Sequence, residues 1–411
     1  MITSSAPGRN VSTFVPDSPA AWRRLLIALA IATVGSVGVW SVVIVLPKVQ
    51  AEFGGTRGVA SLAYTLAMIG FGLGGVVTGR LTDRVGIIPA MAMGVLSLLF
   101  GYLAAGVSKA LWQFNMAHFL IGFGASATFA PLMAEASRWF VRRRGIAVGI
   151  AGSGFYLSGA LWPPLINRGI THYGWQMTHI ALGIFCGAAM TVLVLILRSS
   201  IGRTQQRGLS AEGRPSVDTN LSPNVLTVVL SIASFCCCMA MAIPQVHIVA
   251  YCGDLGYGVG RGAEMLSLML AFGAVSRVGS GIIADRLGGL ATLLIGSVAQ
   301  ASALTMYLFF DGLTPLYVVS ALFGLFHGGI VSSYAIIVRE TMPASEAATR
   351  VGTVIMVSLL GMSAGGWVSG VIFDMTGSYD AAFLNGIGWN ALNAAIVLLL
   401  LLRSRARAAF A

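Results

Sequence analysis

The chain is predicted to be an all-α membrane protein whose twelve transmembrane helices form two pseudo-symmetric six-helix bundles. Three observations carry this: the composition, a train of apolar runs each long enough to cross a bilayer, and an internal repeat at half the chain length. Of 411 residues, 56% are hydrophobic and only 9% charged, whereas an ordinary soluble domain is about a quarter charged. A soluble fold of this size is excluded. The 52 glycines and 17 methionines suit packed transmembrane helices, in which small side chains let backbones approach closely. The five cysteines, Cys186, Cys236, Cys237, Cys238 and Cys252, mostly sit in apolar runs. Neither a disulfide framework nor a metal site is expected from them.

The polar, proline-containing first twenty residues are not expected to act as a cleavable signal peptide. Apolar runs near the roughly 20 residues needed to span a bilayer follow at about 25–46, 58–79, 88–107, 111–134, 146–166 and 177–197. Six more lie near 225–250, 262–283, 290–309, 314–338, 351–373 and 381–402. The expected organisation is a tail over 1–24, a first bundle over 25–198, a linker over 199–223, a second bundle over 224–402 and a tail over 403–411.

The net charge of +11 is explained by topology. With both termini cytoplasmic, 19 of the 25 basic residues fall in cytoplasmic segments: Arg9, Arg23, Arg24, Arg80, Arg84, Arg138, Arg142, Arg143, Arg144, Arg198, Arg203, Arg207, Arg214, Arg286, Arg339, Arg350, Arg403, Arg405 and Arg407. Lys48, Arg57, Lys109, Arg168 and Arg261 fall outside, as the positive-inside rule favours. Nucleic acid is therefore not an expected partner; the lipid bilayer is, and the expected location is the cell inner membrane. One basic residue is left over. Arg277 lies inside the eighth run, about 12 Å by helix rise from the loop at Asp285.

The second and third spans are joined by GRLTDRVG, Gly79 to Gly86, and the eighth and ninth by GIIADRLG, Gly281 to Gly288. The offset is 202 residues. Repeated halves joined by a polar linker are the plan of transporters that rock two bundles around a midplane site. GxxxDRxG in both loops, with twelve helices around a central linker, resembles the signature of the major facilitator superfamily along the whole chain. RWFVRRRGIAVG (Arg138 to Gly149), PQVHIVAYCGDLG (Pro244 to Gly256), FGAVSRVGSGIIADRLG (Phe272 to Gly288) and SAGGWVSGVIFDMTGSYDAAF (Ser363 to Phe383) resemble, more narrowly, its monocarboxylate porter and oxalate/formate antiporter branch.

The loop motifs give the first candidate residues. Gly79 and Gly281 suit close helix approach, while Asp83, Arg84, Asp285 and Arg286 can pair with basic loops or helix ends. With Gly86 and Gly288 they form, by the resemblance, a gate latch; the alternative is a solvated topogenic loop. Arg277 is the principal candidate. A guanidinium at bilayer depth costs about 3 kcal/mol on insertion scales, so it normally faces a cavity and meets an anion. None of the 14 acids sits at mid-membrane. An arginine without an internal partner suits a substrate carboxylate, which its planar fork holds in a bidentate pair. The resemblance implies the same role, with one departure: animal members carry an aspartate one turn earlier, as part of a proton-coupling pair, where this chain has Gly273. The alternative for Arg277 is a side chain that snorkels to the membrane face or bonds carbonyls.

Around it, Tyr334 and Tyr156 can donate hydroxyls to a substrate and Trp40 can wall a cavity, each against a plain packing role. His247 and His327 are candidates for carrying a coupling proton, His247 also for touching substrate; the alternative for a buried histidine is a hydrogen-bonded structural role. No Walker loop, strand-linked GxGxxG, HExxH or nucleophile elbow is present, so no cofactor and no enzymatic activity are expected. The expected function is secondary active transport of a small organic anion, a monocarboxylate or short dicarboxylate, by proton symport or anion exchange, in a carrier working as a monomer. The rival is a proton-coupled exporter of drugs or other amphipathic compounds; such exporters usually carry an acid in the first helices, and the run from Leu25 to Leu46 has none.

Overall fold

The computed structural model describes residues 17–140, 144–200 and 221–408. Arg9, Arg142, Arg143, Arg203, Arg207, Arg214 and most of the expected linker and first tail lie outside the described residues. The described residues form helices and no strands. α1 (Pro19–Gly35) and α2 (Val37–Phe53) make the first span, α3 (Arg57–Val85) the second and α4 (Ile87–Gly106) the third. α5 (Leu111–Ser126) and α6 (Ala130–Trp139) make the fourth, and α7 (Arg144–Ser200) the fifth and sixth. α8 (Pro223–Asp254), α9 (Val259–Leu287) and α10 (Gly289–Phe309) are the seventh to ninth. α11 (Leu313–His327) and α12 (Ile330–Thr341) share the tenth, and α13 (Ala344–Thr376) and α14 (Asp380–Ala408) complete twelve.

Local chemistry sets these boundaries. Ser18, Thr56 and Ser222 cap α1, α3 and α8 by accepting from backbone N–H groups three residues on, with proline opening α1 and α8. Straight, the 57 residues of α7 would run about 85 Å, far beyond a hydrocarbon core of about 30 Å. The chain turns at Gly174 (φ 78, ψ 163), a conformation that glycine adopts without a Cβ penalty. α7 therefore supplies two spans. Gly86 (φ 93) and Gly288 (φ 79) turn the chain in the same way at the ends of the two loop motifs.

The fourth and tenth spans, expected as continuous, are each interrupted. Residues 127–129 separate α5 from α6, and Gly328 and Gly329 separate α11 from α12. In the fourth, Ser126 and Thr128 turn their hydroxyls onto the carbonyls of Phe123 and Ala125, each at 2.7 Å, which competes with the helical ladder. In the tenth, a glycine pair weakens it.

The duplication seen in the sequence is also a packing repeat. A Cβ on Gly122 would lie 1.9 Å from the carbonyl oxygen of Ala67, and one on Gly324 would lie 2.0 Å from that of Met269. Both glycines and both carbonyls are related by the 202-residue offset, so α3 crosses α5 as α9 crosses α11. These crossings hold each bundle together by backbone approach, the mode that lipid-embedded helices favour.

Candidate functional site

The two halves meet along α3 with α13 and α7 with α9, and both seams run the same way. At the end opposite the loop motifs, a Cβ on Gly370 would lie 3.0 Å from the Gly58 Cα. Further in, Thr65 and Ser363 exchange hydroxyl-to-carbonyl bonds, both 3.0 Å. A Cβ on Gly72 would lie 2.9 Å from Met356 Sδ. On the next turns toward the motif end, Gly75, Gly79 and Gly352 meet nothing within 4 Å. Along the other seam, a Cβ on Gly159 would lie 2.2 Å from Leu270 Cδ1 and one on Gly273 2.8 Å from Tyr156 Cδ1. Beyond them, Gly149, Gly279 and Gly281 meet nothing within 4 Å. The halves are thus packed at the far end and splayed at the motif end.

Arg277 sits where this seam parts. A Cβ on Gly152 would lie 3.4 Å from its Cζ, the last approach before the open turns. The guanidinium lies over the rings of Tyr156 and Phe129, at 5.5 and 5.9 Å from their centroids. Among the described residues no carboxylate lies within ion-pair distance of it, and Tyr156 alone is within its electrostatic reach. Such an arginine, half-buried at the apex of a cleft, can hold an anion that enters from the motif end.

The other expected residues divide. Tyr156 belongs with Arg277: its ring lies between the guanidinium and His327, with the His327 centroid at 6.0 Å, and its hydroxyl donates to the Gly328 carbonyl at 3.3 Å. His327 uses both ring nitrogens, Nδ1–H donating to Phe323 O at 2.7 Å and Nε2 accepting from Gln245 at 2.8 Å. Trp40 stands behind the cleft. It is buried, its indole N–H donates to Phe155 O at 3.1 Å, and its ring packs against Phe155 at 5.1 Å. Tyr334 is placed differently from the expectation: its hydroxyl donates to Asn393 at 2.7 Å inside the second bundle, where Asn393 in turn donates to Ser297. That network holds α12, α14 and α10 together.

His247 is at the far end. Its Nε2–H donates to the Gly366 carbonyl at 2.8 Å, so Nδ1 accepts from the Tyr379 hydroxyl at 3.2 Å. Tyr379 also accepts from Arg57 at 2.7 Å. Arg57 forks onto Asp254 at 3.0 and 3.2 Å, and Asp374 accepts from the backbone N–H groups of Arg57 and Gly58 at the start of α3. This closure was not foreseen from the sequence. Its signal was present as Arg57, a basic residue of the first half at the end opposite the loop motifs, facing Asp254 and Asp374 of the second.

The loop motifs are loosely engaged. Asp83 lies 3.9 Å from Arg138 and is 74% exposed, while Asp285, Arg84 and Arg286 have no hydrogen bond or ion pair among the described residues. The close approach expected at Gly79 and Gly281 is absent because the helices have diverged there. Gly86 and Gly288 act through their positive φ instead.

Comparison with known proteins agrees with this architecture. The chain is 26% identical over 335 residues to bovine monocarboxylate transporter 13, spanning 79% of this chain and 75% of that one. It is 24% identical over 314 residues to the agnestins efflux protein AgnL12 of Paecilomyces divaricatus, spanning 76% and 71%. The structure superimposes on that of the nucleoside transporter NupG with a TM-score of 0.73 at 14% identity, covering 92% of this chain and 99% of the other. The Major Facilitator Superfamily model matches residues 25–315 and 280–410, and the chain belongs to that superfamily of membrane transporters.

Proposed function

We propose that the protein is a secondary active carrier of a small organic anion, a monocarboxylate or short dicarboxylate, working by alternating access with Arg277 as the anion anchor. The observation that carries this is a cation with no carboxylate counter-charge among the described residues, at the apex of the cleft between the halves. The 26% identity to monocarboxylate transporter 13 supports the substrate class. The basic motif end is read as cytoplasmic, so the conformation described is open inward, and the carrier is read as a monomer of the cell inner membrane. Asp83, Arg84, Asp285 and Arg286 are read as a cytoplasmic latch that engages when the splayed ends close.

Two coupling routes are physically available. An unneutralised Arg277 slows return of the empty carrier, which supports anion exchange. His247 offers proton symport: a proton on Nδ1 displaces the donated Tyr379 hydroxyl and adds positive charge beside Arg57. The charged groups within its electrostatic reach are Arg57, Asp254 and Asp374. The similarity to an efflux protein keeps export of amphipathic compounds as a second reading.

Uptake of a carboxylate panel into proteoliposomes, with internal anion or with a pH gradient, tests this. Carboxylate-specific uptake stimulated by one of the two gradients is expected. Tight binding of cationic dyes with no response to any carboxylate would replace the carrier reading with the exporter.

A further inference from the structure

The cleft wall facing Arg277 is built of rings from the first half. Phe71 on α3, Phe129 between α5 and α6, and Phe155 on α7 form a triangle with centroid separations of 5.9, 5.9 and 5.6 Å. Tyr156 continues it at 6.0 Å from Phe155, and Trp40 backs Phe155. The interruption of the fourth span puts Phe129 here, with φ −116 and ψ −83 outside the helical range, and its ring lies within 5.9 Å of the Arg277 guanidinium. Phe129, Phe155 and Met133 are partly exposed, as groups lining an open cleft are.

The charges in the chain are placed to match. Among the described residues, Arg277 is the one basic side chain that lies over the rings of this wall. Arg24, buried near the motif end, is within reach of Glu135, and Arg57 is spent on the far closure. A second carboxylate on the same substrate would be carried onto ring faces, whose quadrupole is negative, with no cation to meet it. An apolar tail would bury against the partly exposed rings of Phe129 and Phe155, and an aryl tail can add edge-to-face contacts.

Resting on the reading of Arg277 as anchor, we infer that the substrate is a monocarboxylate with an apolar, preferably aromatic tail, its carboxylate on Arg277 and its tail on Phe129 and Phe155, which the buried Phe71 backs, and that dicarboxylates are rejected.

Calorimetric titration of the purified full-length protein with acetate, phenylacetate and malonate tests this in wild type, Phe129→Ala, Phe129→Leu and Arg277→Gln. Phenylacetate is expected to bind at least about tenfold more tightly than acetate, with malonate weakest, and the phenylacetate-to-acetate ratio to fall about tenfold in Phe129→Ala and less in Phe129→Leu. Should Arg277→Gln abolish binding while malonate matches phenylacetate, or while both Phe129 variants keep the wild-type ratio, the anchor stands and the aromatic wall is overturned. Should Arg277→Gln bind all three acids as wild type does, the anchor reading falls and this inference with it. The wild-type ratios decide the matter if a variant does not fold.

Discussion

Arg57 donates to both carboxylate oxygens of Asp254, at 3.0 and 3.2 Å, and so clamps the second span to the seventh across the seam between the halves. The pair is partly shielded, with the Arg57 side chain 14% exposed, and a fork of charge-assisted bonds is stronger than a surface ion pair. Its loss in Asp254→Asn is expected to favour opening of the far end by about 1.5–3 kcal/mol, roughly ten- to a hundredfold in population. A reporter cysteine made by Ser61→Cys, on the seam beside Gly370 and in a background without the native cysteines, should be labelled correspondingly faster. Unchanged labelling would mean that other contacts hold the far end shut.

His247 gives the same reporter a pH dependence of definite sign. The far closure uses neutral His247, with Nδ1 accepting from Tyr379. Acidification places a proton on that nitrogen, breaks the donated bond and sets like charge beside Arg57, so labelling at position 61 should rise as pH falls. In His247→Gln the rise should vanish. A slope that persists in the variant would assign the titration to another group.

Glycine substitutions separate packed from splayed regions. At Gly324 an added methyl meets the Met269 carbonyl oxygen at 2.0 Å, and Gly324→Ala should lower stability by about 1–3 kcal/mol, the usual cost of overpacking. At Gly149 the same methyl meets nothing within 4 Å, and Gly149→Ala should be neutral or raise stability by about 0.5–1 kcal/mol through helix propensity. Thermal unfolding in detergent reads both. Equal effects at the two sites would contradict the splayed geometry.

Asp83, 3.9 Å from Arg138 and largely exposed, contributes about 0–1 kcal/mol in the conformation described. Asp83→Asn should therefore leave the unfolding temperature nearly unchanged while altering the balance between the two access states, measured by cysteine labelling at both ends. Unaltered labelling at both ends would make the motif a topogenic loop and no latch.

The twelve spans, the duplication and Arg277 were legible because each leaves a one-dimensional signal: run length, a fixed offset, a charge in an apolar window. The interruption at residues 127–129 was not, because serine and threonine bonding to local carbonyls leaves hydropathy unchanged. The aromatic triangle was missed for a related reason: Phe71, Phe129 and Phe155 come from three helices, and each looks alone like ordinary core. Tyr334 shows the converse. Its place in the tenth span suited a cleft residue, yet Asn393, 59 positions away, takes its hydroxyl inside the second bundle.

The central claim is that Arg277 holds the carboxylate of the transported anion. It is tested most directly by the affinity of wild type, Arg277→Lys and Arg277→Gln for carboxylates, measured by calorimetry on the folded proteins. Arg277→Gln is expected to lose about a hundredfold or more in affinity, the worth of a desolvated charge-assisted pair, and Arg277→Lys to keep part of it as a point charge without the planar fork. Wild-type affinity retained in Arg277→Gln would contradict the account.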